Sequence, residues 1–94
     1  MNLEKLRKEI DVIDKGIIDL LSQRFNVTEK VGELKATEGI NSLSPNRERE
    51  QFEKFEELSK ELNLSYLMVK QIFESIRDQV LINHEKIKSD HKSQ

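Results

Sequence analysis

The sequence predicts an all-α protein, and three observations carry the prediction. Of its 94 residues 35% are hydrophobic and 36% charged, a balance suited to long charged helices. There are three Gly and one Pro, too few for the turns of a β-sheet domain. Leu3, Leu6, Ile10, Ile13, Ile17, Leu20, Arg24, Val27, Val31 and Leu34 then recur at alternating steps of three and four, the spacing of one helical seam. The chain is long enough for a single small domain.

That seam predicts a first helix from about Leu3 to Thr37, ended by Glu38 and Gly39. At about 1.5 Å per residue it spans roughly 50 Å, whereas a compact chain of this length has a diameter of about 32 Å. The helix must project from its own globule. An exposed apolar seam of that length is an association surface, so a homodimer is the simplest way to cover it. Gly39 to Leu43 reads as a short loop. Ser44 as N-cap and Pro45 at the first helical position start a second helix that ends near Leu62, with Phe52, Phe55, Leu58 and Leu62 on one stripe. This leaves Arg47, Glu48 and Gln51 near its start to face ligand or solvent. Ser65 caps a third helix carrying Val69, Ile72, Phe73, Ile76, Val80 and Ile87, fraying near Lys88. The expected division is a helical domain over 1–88 and a flexible polar tail over 89–94.

Sixteen Lys and Arg against eighteen Asp and Glu give a formal net charge of −2, which argues against general affinity for nucleic acid or anionic membrane. The absence of cysteine excludes disulfides and thiolate chemistry. The opening residues, MNLEKLRKEID, lack the apolar core of a signal peptide, and no run of about 18 apolar residues spans a bilayer. A cytoplasmic protein is expected. His84 and His91 are the two histidines, neither paired with a second metal ligand at helical spacing, so no metal is expected.

Arg24 interrupts an otherwise apolar seam. A guanidinium keeps its charge, so in such a seam it must meet an anion or cost several kcal/mol. Lys35 lies eleven residues further on, within about 20° of the same face and roughly 16 Å along the axis. Side chains reaching inward from both ends form a clamp for a small dicarboxylate, with Gly32 between them allowing close approach. Arg7 is about 25 Å from Arg24 along the helix, too far to join within one chain. In an antiparallel pair it reaches the other protomer's clamp. The charged run Arg47 to Glu50 and the boundary residue His84 are, by themselves, ordinary solvated or satisfied side chains.

Together these residues match a family. In the order LRKEIDVID, LLSQR, VGELK, SPNRERE and IFESI, the chain resembles the all-helical chorismate mutases of the AroQ class from about Leu3 to Glu85. The resemblance implies three helices per chain entwined as a homodimer. It also implies the Claisen rearrangement of chorismate to prephenate in aromatic amino acid biosynthesis, without cofactor. It makes Arg24 and Lys35 ligands of the carboxylates, with Lys35 also donating to the ether oxygen, and Arg7 a contribution from the other subunit. Arg47 adds positive charge, and Glu48 accepts from the ring hydroxyl. Three positions depart from the pattern. Ser44 stands where many relatives have Asp, Val80 where they have Ser, and His84 where they have the Gln that donates to the ether oxygen. A shift of one residue would bring Gln79 and Asn83 to the last two places. An isochorismate pyruvate lyase on the same fold and a non-catalytic helical adaptor are the competing readings.

Overall fold

The computed structural model describes residues 2–41 and 44–92. Within them the chain forms three helices, α1 (Leu3–Glu38), α2 (Pro45–Glu61) and α3 (Tyr66–Lys92), and no strand. The end of α1 falls within a residue of the expected one. Gly39 takes φ 70, and the amides of Gly39 and Ile40 donate to the carbonyls of Ala36 and Lys35 at 3.4 and 2.8 Å. This Schellman closure needs a left-handed residue, which glycine adopts without a Cβ penalty. At the other end the Asn2 side chain accepts from the Lys5 amide at 2.8 Å. Asn63 closes α2 in the same way at φ 57, with its own amide on Lys60 O and that of Leu64 on Ser59 O. Asn tolerates this conformation better than most residues.

Ser44 holds the N-cap position of α2 with Pro45 following, but its side chain makes no cap hydrogen bond. Ser65 does cap α3, accepting from the Met68 amide at 3.2 Å. Helix α3 continues through Lys92, so residues 89–92 of the expected tail are helical. Ile87, half-buried against Gly32, anchors the helix just before them, and the charged residues that follow extend it at little conformational cost. The end of the loop at Ser42 and Leu43, and the last two residues of the tail, lie outside the described residues.

Helix α3 packs against both α1 and α2, which do not pack against each other. The α1 face that meets α3 is not the apolar seam. Leu21, Arg24, Phe25, Thr28, Gly32, Lys35 and Ala36 are buried or half-buried, whereas Leu3, Leu6, Ile10, Ile13, Ile17, Leu20, Val27, Val31 and Leu34 are exposed. Among the described residues Ile76 is the one buried apolar side chain. The radius of gyration is 17.0 Å and the longest dimension 58 Å, against about 12 Å for a compact chain of this size. Burial of this extent gives little hydrophobic stabilisation within one chain. No helix among the described residues is long and apolar enough to cross a membrane.

Candidate active site

The second half of α1, the start of α2 and the middle of α3 enclose a cavity of about 130 Å³. Arg24 and Lys35 enter from α1, and Ser44, Arg47, Glu48 and Gln51 from the start of α2. Phe52 and Phe55 add an aromatic wall, continued by Phe73, Arg77, Val80 and Leu81 of α3. The Phe55 and Phe73 rings stack with centroids 4.0 Å apart, and Phe52 meets Phe55 edge to face at 5.5 Å. These contacts hold α2 onto α3 and make one side of the cavity dry.

Arg24 is placed above this wall, its guanidinium carbon 5.8 Å from the centre of the Phe73 ring. Its Nη1 is buried with no hydrogen-bond partner among the described residues. A buried charged donor without an acceptor costs a few kcal/mol, and an anion in the cavity would supply the acceptor. The charge inside the apolar seam thus ends up at the α1–α3 junction and in the cavity wall. Lys35 joins it from the last turn of the same helix, as their spacing implied. The Ser44 hydroxyl, unused as a cap, stands at the cavity edge.

Six of the residues singled out in the sequence, Arg24, Lys35, Ser44, Arg47, Glu48 and Val80, come together here. Two do not line the cavity. Arg7 lies exposed near the start of α1. His84 sits behind the wall, 5% exposed, with Nε2 2.7 Å from the Thr28 carbonyl oxygen and Cδ2 against Gly32. A tautomer protonated at Nε2 donates to that carbonyl and leaves the buried Nδ1, which has no partner among the described residues, as an acceptor. With Nε2 engaged on the backbone of α1, His84 does not reach a ligand in the cavity with that nitrogen. Gln79 and Asn83, the alternatives from the shifted alignment, bond each other at 2.9 Å and are also absent from the lining.

Arg77 and Leu81 line the cavity without having been singled out in the sequence, and Arg77 carries the chemistry. It donates through Nη1 to Glu48 Oε1 across the α2–α3 interface and through Nε and Nη2 to Asp78 at 3.3 and 3.2 Å. The hydrogen bond to Glu48, chiefly, pushes the Arg77 guanidinium above its already high ordinary value, and Asp78 adds to this. A signal was available. Arg77 falls four residues after Phe73 and four before Leu81, a charge within a facing stripe, as Arg24 is on α1. No group of three or more His, Asp or Glu that could hold a metal occurs among the described residues.

Comparison with known proteins shows the family. The family profile described as chorismate mutase type II matches residues 6–85. A chorismate mutase of Methanocaldococcus jannaschii is 34% identical over 84 residues, 89% of this chain and 80% of that protein. A bifunctional chorismate mutase/prephenate dehydratase of Aquifex aeolicus is 45% identical over 60 residues, 64% of this chain but 17% of that protein. The T-protein of Enterobacter agglomerans is 41% identical over 46 residues, 49% of this chain and 12% of that protein. The chain therefore spans a small part of the longer relatives and most of the archaeal one. On its helical architecture and on a profile match covering most of its length, this chain belongs to the type II chorismate mutase family.

Proposed function

We propose that the cavity binds chorismate and catalyses its rearrangement to prephenate. The observation that carries this reading is the convergence of Arg24, Lys35 and Arg47 with one carboxylate, Glu48, on an aromatic wall, with a buried Arg24 nitrogen lacking an acceptor. The relatives named above support it. The reaction is unimolecular and asks for no nucleophile. Its requirement is a compact conformer that brings the two bonding carbons together, which fixed contacts to both carboxylates provide.

Arg24 and Arg47 take carboxylate oxygens. Lys35 meets a carboxylate and donates to the ether oxygen, where negative charge grows as the C–O bond breaks. A preorganised cation at that point favours the transition state over the ground state and contributes about 3 kcal/mol. Glu48 accepts from the ring hydroxyl, and the Ser44 hydroxyl and Val80 border the same space. His84 acts from behind, fixing α1 against α3 and so the spacing of Arg24 and Lys35.

The exposed seam from Leu3 to Leu20 is covered by a second copy, whose Arg7 reaches into the site. The 58 Å length and the near absence of a core within one chain support this entwined homodimer. A cytoplasmic setting suits a diffusible dicarboxylate substrate. The catalytic domain expected over 1–88 is part of the same reading, with α3 continuing past it to Lys92.

The test is chorismate consumption by the purified protein, with Lys35→Ala as control and isochorismate in parallel. Loss of chorismate with formation of prephenate, reduced about a hundredfold or more in Lys35→Ala, is expected. Pyruvate released from isochorismate alone would replace the mutase with a lyase, and silence on both substrates would leave a helical scaffold.

A further inference from the structure

We propose that Arg77 is a positioning residue for Glu48, and that through it the site prefers a dicarboxylate bearing a ring hydroxyl. The inference rests on reading the cavity as a chorismate site. Its starting point is charge. Four cations, Arg24, Lys35, Arg47 and Arg77, share the lining with a single carboxylate, Glu48. An unrestrained carboxylate among cations folds onto whichever of them the ligand needs, because opposite charges a few ångströms apart attract.

Arg77 prevents this. Its guanidinium is held along one edge by Asp78 through Nε and Nη2 at 3.3 and 3.2 Å, leaving Nη1 aimed at Glu48 Oε1. Because both acids engage the same planar fork, Arg77 has little freedom to turn away. With side-chain exposures of 34% for Arg77 and 28% for Glu48 the pair is half-buried, and solvent screens it in part. Arg77 meets one oxygen of Glu48. A carboxylate offers about four acceptor positions, so the group keeps capacity for a ligand hydroxyl while its direction is set from α3. Glu48 then does not compete for Arg24, whose buried Nη1 has no partner among the described residues and can take a ligand carboxylate.

The consequence is selectivity. A fixed charged acceptor favours a ligand that donates a hydrogen bond to it over one that cannot, by roughly ten- to a hundredfold. A swinging acceptor discriminates less and competes for the cations. The test uses the full chain, wild type against Arg77→Ala and Arg77→Lys, with chorismate and its ring O-methyl ether as substrates. In a binding arm, thermal shifts are read with an oxabicyclic dicarboxylate transition-state mimic and its counterpart lacking the hydroxyl.

Wild type should prefer the hydroxyl-bearing member of each pair by about tenfold or more. Arg77→Ala should reduce that preference to within about threefold and raise KM more than it lowers kcat, and Arg77→Lys should restore part of it. Adding Glu48→Gln to Arg77→Ala should remove little more. The proposal is overturned if Arg77→Ala loses activity or binding equally for both members of a pair, which makes the contact a helix tether. It is also overturned if Arg77→Ala turns over chorismate faster, which makes the contact inhibitory. Wild-type protein that turns over no chorismate sinks the catalytic reading, and the binding arm then still decides the role of Arg77.

Discussion

Replacing Gly32 by alanine probes the contact on which the site's spacing depends. A Cβ built at Gly32 would stand 2.6 Å from His84 Cδ2, 3.0 Å from His84 Nε2 and 3.1 Å from Ile87 Cδ1. The Ile87 methyl is the end of a flexible chain and can move. The imidazole is buried and held through Nε2 by the Thr28 carbonyl at 2.7 Å, so displacing it lengthens or breaks that bond. Overpacking costs about 1–3 kcal/mol, and a buried hydrogen bond lost adds roughly 1–2 kcal/mol. Against this, alanine gains about 1 kcal/mol over glycine in a helix interior.

The expected net effect of Gly32→Ala is a loss of roughly 1–4 kcal/mol. For a domain of this size each kcal/mol moves Tm by about 4–8 °C. Thermal and urea unfolding at one fixed protein concentration measure it, since the stability of an oligomer depends on concentration. A cycle with His84→Ala isolates the cause. With the ring removed, most of the cost of Gly32→Ala should vanish, giving a coupling of about 1 kcal/mol or more. A Gly32→Ala protein as stable as wild type, or one whose full cost persists without the ring, would refute the close-approach argument. Because Gly32 lies between Arg24 and Lys35 on α1, the same substitution should lower chorismate turnover more than Tm alone explains.

Gly39→Ala should cost about 1 kcal/mol, because φ 70 strains a residue with a Cβ, and Gly39→Asn should cost less; urea midpoints at constant m-value would show it. Arg24→Leu should raise the ligand-free Tm by a few degrees through relief of the buried unpartnered Nη1, while abolishing the thermal shift given by a dicarboxylate mimic; a lower Tm with binding intact would contradict both roles. Arg7→Ala and Arg24→Ala chains, each expected to be inactive alone, should recover about a quarter of wild-type activity when mixed as equal populations that exchange subunits, following the effective-site logic of a shared interface. No recovery despite verified exchange would remove Arg7 from the partner's site.

The sequence by itself determined the three helices and all their ends but the last, where α3 runs on to Lys92, because these depend on local chemistry. Pro45 and Ser65 act on neighbouring residues, and Gly39 supplies a backbone angle that other residues resist. It also singled out Arg24, since a permanent charge in an apolar series conflicts with burial wherever the helix lies. The partnership of Arg24 with Lys35 followed from helical periodicity alone.

Tertiary structure decided which helix faces meet, and here local reasoning ran out. The apolar seam of α1 stays outside, and a smaller stripe through Leu21, Thr28, Gly32 and Ala36 docks on α3, because Gly32 lets His84 come closest there. The same docking turned His84 toward the Thr28 carbonyl and away from the cavity, and brought Arg77 onto Glu48, 29 residues away in sequence. Such a pairing depends on the relative rotation of two helices. No spacing within either one encodes it, since periodicity fixes which residues share a face but not what that face will meet.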